Sequence, residues 1–187
     1  MEASLLALLL AAGAPALGAP AAAEPDCTAV APSPMLKKSA YRGYRFERGP
    51  ENTATEKAAL GDAALTIETA GCYDGLEHSF TFAVRSPRES FDDLDHWLQF
   101  AARQLAALKL AGENGRGDVQ ELTAFLSGAA KKVAVGRSPS EVRLEACRDG
   151  SRPGDDGCAF ATGGGDRFAV RKTATGVEVY VSAYSAL

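Results

Sequence analysis

SFDDLDHWLQFAARQLAALKLAGENGRGDVQELTAFLSGAAKKVAVG, residues 90–136, is the one long stretch of this chain in which apolar residues recur every three to four positions. Ser90, followed three residues later by Asp93, predicts a helix start with a near capping box. Phe91, Leu94, Leu98, Ala101, Leu105 and Leu108 then form one apolar stripe, which Gly112 closes. A second helix is expected from Asp118, with Glu121 three residues on and Val119, Leu122, Leu126, Ala129 and Val133 as its stripe. Lys131 and Lys132 suit its C-terminal dipole, and Gly136 is expected to end it. The connection GENGRG, 112–117, is short enough to make the pair a helical hairpin.

On both sides of this stretch the apolar period is two. Leu65, Ile67 and Thr69 share one face of ALTIETA, 64–70, and His78, Phe80, Phe82 and Val84 share one face of the next segment. Asp74-Gly75 between them signals a hairpin turn. Tyr41 to Glu47 reads as a short strand with a charged face. After Pro139, Val142, Leu144 and Ala146 alternate, then Phe168 and Val170. The last segment is the clearest: Val177, Val179, Val181 and Ala183 point inward, and Glu178, Tyr180, Ser182 and Tyr184 outward. Strands, a helical pair, then strands again predict an α+β fold: a mainly antiparallel sheet with a two-helix hairpin packed on one face.

The N-terminus carries a different signal. Leu5 to Leu10 is an apolar run, and Ala21-Ala22-Ala23 supplies small residues for cleavage, so residues 1–23 read as a secretory signal peptide. Pro15 and Pro20 argue against a buried helix, and the run is shorter than the roughly 20 apolar residues of a membrane span. Residues 24–40 read as an extended lead-in and 41–187 as one α+β domain. Loss of residues 1–23 removes one acid, Glu2, and leaves 23 acids against 20 bases. That balance speaks against a polyanion partner and for no nucleic-acid role. Cys27, Cys72, Cys147 and Cys158 make an even count in an exported chain, which predicts two reinforcing disulfides, Cys27–Cys72 and Cys147–Cys158 being the simplest pairing.

The stretch CRDGSRPGDDGC, 147–158, sets ten residues without an aliphatic or aromatic side chain between two cysteines. A stapled polar loop loses less entropy on binding, so residues 148–157 are the candidate recognition loop. Its candidate binding residues are Arg148, Asp149, Arg152, Asp155 and Asp156, with Arg148 and Arg152 the directional hydrogen-bond donors. The three acids lack EF-hand spacing and the cysteines lack a zinc pattern, so neither metal nor cofactor is expected. Gly163-Gly164-Gly165 precedes a strand and reads as a turn, and Arg116-Gly117-Asp118 as a helix cap.

Catalytic signals are thin. There is no G-x-S-x-G serine and no cysteine set up as a nucleophile. His78 shares the parity of Phe80 and reads as a structural histidine. His96 falls near Asp92 and Asp93 on one helical face. In architecture the chain looks like small exported α+β inhibitor or immunity proteins. The expectation is therefore a periplasmic or secreted, non-enzymatic binding domain with a protein partner. The alternatives are an envelope hydrolase using His96 or His78 with a carboxylate, and a carrier of a small apolar ligand between helices and sheet.

Overall fold

The computed structural model describes residues 31–72, 75–113, 115–128, 133–147 and 165–184. Four strands come first: β1 (Arg45–Arg48), β2 (Thr53–Leu60), β3 (Ala63–Cys72) and β4 (Gly75–Arg85). Helices α1 (Leu94–Ala106) and α2 (Arg116–Ser127) follow, then β5 (Val133–Ser138), β6 (Glu141–Cys147), β7 (Gly165–Lys172) and β8 (Gly176–Tyr184). All eight strands form one sheet in the order β1-β2-β3-β4-β8-β7-β6-β5, antiparallel at every step. Two four-stranded meanders thus meet where β8 lies beside β4, and the helices are the crossover between them. The α+β class with a mainly antiparallel sheet is the one the periodicity predicts.

The alternation holds strand by strand. Leu65, Ile67, Phe80, Phe82, Phe168, Val179 and Val181 are buried on one face, where they meet Trp97, Phe100, Leu105, Leu122 and Phe125 of the helices. Trp97 and Phe100 stack edge-on at 5.6 Å, and Phe100 meets Phe82 edge-on at 6.0 Å. Among the described residues no helix is long and apolar enough to cross a membrane.

Several local expectations are corrected. The N-cap of α1 is Asp93, whose Oδ1 accepts from His96 N at 3.2 Å, not Ser90. The N-cap of α2 is Gly115 in a left-handed conformation (φ 65°), not Asp118. The positive φ favours glycine there, and a Cβ at Gly115 would stand 1.8 Å from Met35 Cε and have to displace that terminal methyl. The second helix stops at Ser127 because Gly128 is extended, and Val133 opens β5 instead of closing the apolar stripe. Strand β2 has no counterpart in the periodicity, because its inward row is Ala54, Glu56 and Ala58.

The lead-in crosses the helix-covered face as a strap. Met35 and Leu36 are buried, Leu36 bridges Leu110, and Ala111 N donates to Met35 O at 2.8 Å. A single 3-10 turn, Lys38–Ala40, then leads toward β1.

Candidate functional site

The face away from the helices is the one that alternation leaves open, and among the described residues no helix covers it. The register sorts its side chains into rows. Glu141, Arg171 and Glu178 are successive partners across β6, β7 and β8. The next row runs Arg143, Ala169, Tyr180 and Thr81, from β6 through β4. A third runs Glu145, Arg167, Ser182 and Ser79. All of these residues but Ser182 and Ser79 line a hollow of about 470 Å³ on β6–β7–β8–β4.

Charge orders this hollow. Arg171 Nη2 lies 3.4 Å from Glu141 Oε1, Arg143 Nε 4.0 Å from the same oxygen, and Arg167 Nε 3.3 Å from Glu145 Oε1. Each guanidinium has a neighbouring carboxylate at the edge of the hollow, Arg143 at the longest reach. Tyr180 stands between them, half-buried, on the face the sequence assigns to it. The polar alternation of β6 and β7 was the available sign of Arg143, Arg167 and Arg171, but without strand order it could not be seen that they converge.

Three polar side chains, Glu56, Thr69 and His78, are buried on the covered face; Glu56 fastens the strap and His78 meets α2. Glu56 accepts from Met35 N at 2.5 Å, Leu36 N at 3.0 Å and Tyr44 Oη at 3.0 Å. Burial first, then the hydrogen bond to Glu56 and that residue's negative charge, push the Tyr44 hydroxyl up to about 12. His78 is 2 % exposed, and its Nδ1 lies 2.5 Å from Asp118 Oδ2 on the first turn of α2. His78 Nε2 is buried with no hydrogen-bond partner. The residue read as a helix cap is therefore the carboxylate that orients a buried imidazole.

The other histidine is less engaged. His96 Nε2 lies 3.9 Å from Glu89 Oε2, and its ring meets Trp97 edge-on at 4.8 Å. Asp92, expected beside it, instead accepts from Ser90 Oγ at 2.5 Å and faces Arg137 at 3.9 Å. The hydroxyl bond, then a backbone bond, and last the guanidinium hold the Asp92 carboxyl below the usual range against a small opposing effect of burial. The structure does not bring the two histidines into one site.

The candidate loop residues Arg148, Asp149, Arg152, Asp155 and Asp156 lie outside the described residues, as do Cys27 and Cys158. Cys147 ends β6 opposite Gly165, the first residue of β7, and Cys72 ends β3 opposite Gly75. Among the described residues no group of three His, Cys, Asp or Glu side chains is placed to hold a metal ion. Comparison with protein-family models, curated proteins and solved structures returns no match.

Proposed function

We propose that this chain is an exported, non-enzymatic binding domain, periplasmic or secreted, that engages a protein partner of the inhibitor or immunity type. Its docking platform is the open face of β6–β7–β8–β4, extended by the loop 148–157. The observation that carries this reading is the hollow itself, where Tyr180 and three carboxylate-held arginines converge on a face the helices do not cover. Tyrosine and arginine are enriched at protein interfaces and their hot spots. Carboxylate-held guanidiniums lose little further freedom on binding, and alternating Arg and Glu favour a partner of complementary mixed charge. The loop 148–164 leaves from Cys147 and returns at Gly165, on the two strands that carry Arg143, Glu145 and Arg167. In this reading residues 1–23 are the signal peptide. Two disulfides, Cys27–Cys72 and Cys147–Cys158, stiffen the mature chain, and peptide mapping of the oxidised protein tests that pairing.

The deciding experiment uses three baits in crosslinked capture from envelope and culture fluid. They are the mature chain, a Tyr180→Ser/Arg143→Ser/Arg167→Ser variant, and a variant with Arg148, Asp149, Arg152, Asp155 and Asp156 changed to Ser. A partner held by the first bait and lost from the second, with the melting curve retained, is the expected result. Equal capture by all three baits overturns the platform and the loop together.

One observation favours a second reading, an envelope hydrolase. An imidazole oriented through Nδ1 by a carboxylate, with Nε2 unpartnered, is the arrangement of a general base. His78 is 2 % exposed, so substrate could reach it only after a local opening of the fold. Hydrolytic activity that survives a His78→Ala/His96→Ala variant excludes this reading. The apolar-carrier reading is the weakest, because Phe80, Phe82, Trp97, Phe100 and Phe168 occupy the space between helices and sheet.

A further inference from the structure

The far end of the open face is built differently from the mixed-charge hollow. Arg45 of β1 and Lys57 of β2 are register partners, two cations directly opposite each other on the same face. Like charges in that relation destabilise an antiparallel pair. A third cation is brought up by the turn before β1, where Arg42 O accepts from Ala59 N at 3.1 Å. The three side chains line a hollow of about 350 Å³ whose floor is Ala59, Ala64 and Thr66.

Acids are close enough to have neutralised this cluster, but they do not. Glu47 is one row away opposite Thr55, Glu68 faces Thr55 from β3, and Asp62 lies in the β2–β3 turn. Among the described residues, no ion pair or side-chain hydrogen bond joins any of them to Arg42, Arg45 or Lys57. What sets these three apart from the chain's other exposed cations is their juxtaposition, two of them directly opposite across a strand pair and the third at the same hollow.

We infer that Arg42, Arg45 and Lys57 form a binding site for a dianionic phosphate group. A phosphate dianion offsets two of the three positive charges, whereas a single carboxylate offsets only one and leaves most of their repulsion in place. Guanidinium forks match phosphate oxygens in pairs, and the ammonium adds a point charge. The small floor lets the group approach the sheet, where the Thr66 hydroxyl can donate. A free monoester and a lipid headgroup present the same phosphate oxygens, and sedimentation with vesicles separates the two sources. The site is three strand steps from Tyr180, about 14 Å, and so stands independently of the protein-partner reading.

The test is thermal unfolding of the mature chain in inorganic phosphate, against sodium chloride at equal ionic strength. Phosphate at ten times its dissociation constant is expected to raise the wild-type melting temperature by about 3 °C over chloride. Arg45→Gln/Lys57→Gln should lose that rise, while Arg48→Gln/Arg88→Gln, with the same net charge, should keep it. Without phosphate at low salt, Arg45→Gln/Lys57→Gln is expected to melt above wild type, because the like-charged pair is gone. No specific rise in wild type, or an equal rise in Arg45→Gln/Lys57→Gln, overturns the site. Lower melting of that variant without phosphate overturns the repulsion on which the inference rests. Sedimentation with phosphatidic acid vesicles but not phosphatidylcholine vesicles, lost in the same variant, assigns the lipid source. Glycerol phosphate binding without sedimentation assigns the free ester.

Discussion

Thr81 and Phe82 are consecutive in β4, yet their surroundings have nothing in common. Phe82 is fully buried beneath α1 and edge-on to Phe100, while Thr81 points into the polar hollow beside Tyr180. Because alternation separates the two faces residue by residue, the covered face can hold the fold while the open face varies in charge. The difference also predicts where mutation should hurt. Phe82→Ala is expected to cost about 3–5 kcal/mol, a buried aromatic removed with a cavity left behind. Tyr180→Ser, on the open face, should stay within about 1 kcal/mol. Urea unfolding of both variants measures the contrast, and equal losses would mean that the open face is also structural.

The covered face has its own ionisable exceptions, Glu56 and His78, and they differ from each other. Glu56 has three donors, two of them backbone amides of the strap. Glu56→Ala should cost about 2–3 kcal/mol, since buried donors lose their acceptor. It should also open the backbone around residues 33–40 to proteolysis before the sheet unfolds. A variant that unfolds with its strap still protected would show that Met35 and Leu36 hold by apolar packing alone.

His78 is only half satisfied, which makes its pair with Asp118 asymmetric. Asp118→Ala strands a buried imidazole with neither nitrogen bonded, at a cost of about 1–3 kcal/mol. His78→Phe removes the unpartnered Nε2 along with the ring, and Asp118, 26 % exposed, can turn to water. Its cost should therefore be under about 1 kcal/mol. The same contact is thus predicted to be worth different amounts when broken from its two ends. Equal losses would point to a partner on Nε2 that the folded protein acquires in solution.

These exceptions are also where sequence reading ran short. Period-two alternation revealed β3, β4, β6, β7 and β8 and the inward parity of each, because burial alone sets that pattern. It missed β2, where a buried carboxylate occupies an apolar position, and the carboxylate makes sense only with the strap in place. It missed β5 because Val133 falls at helical spacing from Leu126 and Ala129, and the break at Gly128 was outvoted. Asp118 was legible as a helix residue, but its bond to His78, 40 positions away, follows from tertiary packing. The open-face residues were legible singly, as polar members of alternating strands. Their assembly depends on β8 lying beside β4, which no local pattern encodes.

Tyr44 and Arg45 carry the comparison of faces to its finest scale. They are neighbours, but Tyr44 donates to buried Glu56 while Arg45 joins the cation cluster opposite. The Tyr44 hydroxyl is raised from 10.0 to about 12, burial contributing most and Glu56 next, so the folded protein holds that proton more tightly than the unfolded chain. Its contribution to stability is complete below pH 10 and is lost as pH rises from about 10 through 12. A phenolate absorbance titration should therefore show one of the five tyrosines titrating late. Tyr44→Phe should remove that step and flatten the fall in melting temperature over the same alkaline window. Glu56→Gln should bring the step back toward 10, because it removes the charge that opposes phenolate formation. If the late step survives Tyr44→Phe, another tyrosine is the buried one, and the strap is anchored by Glu56 without help from this hydroxyl.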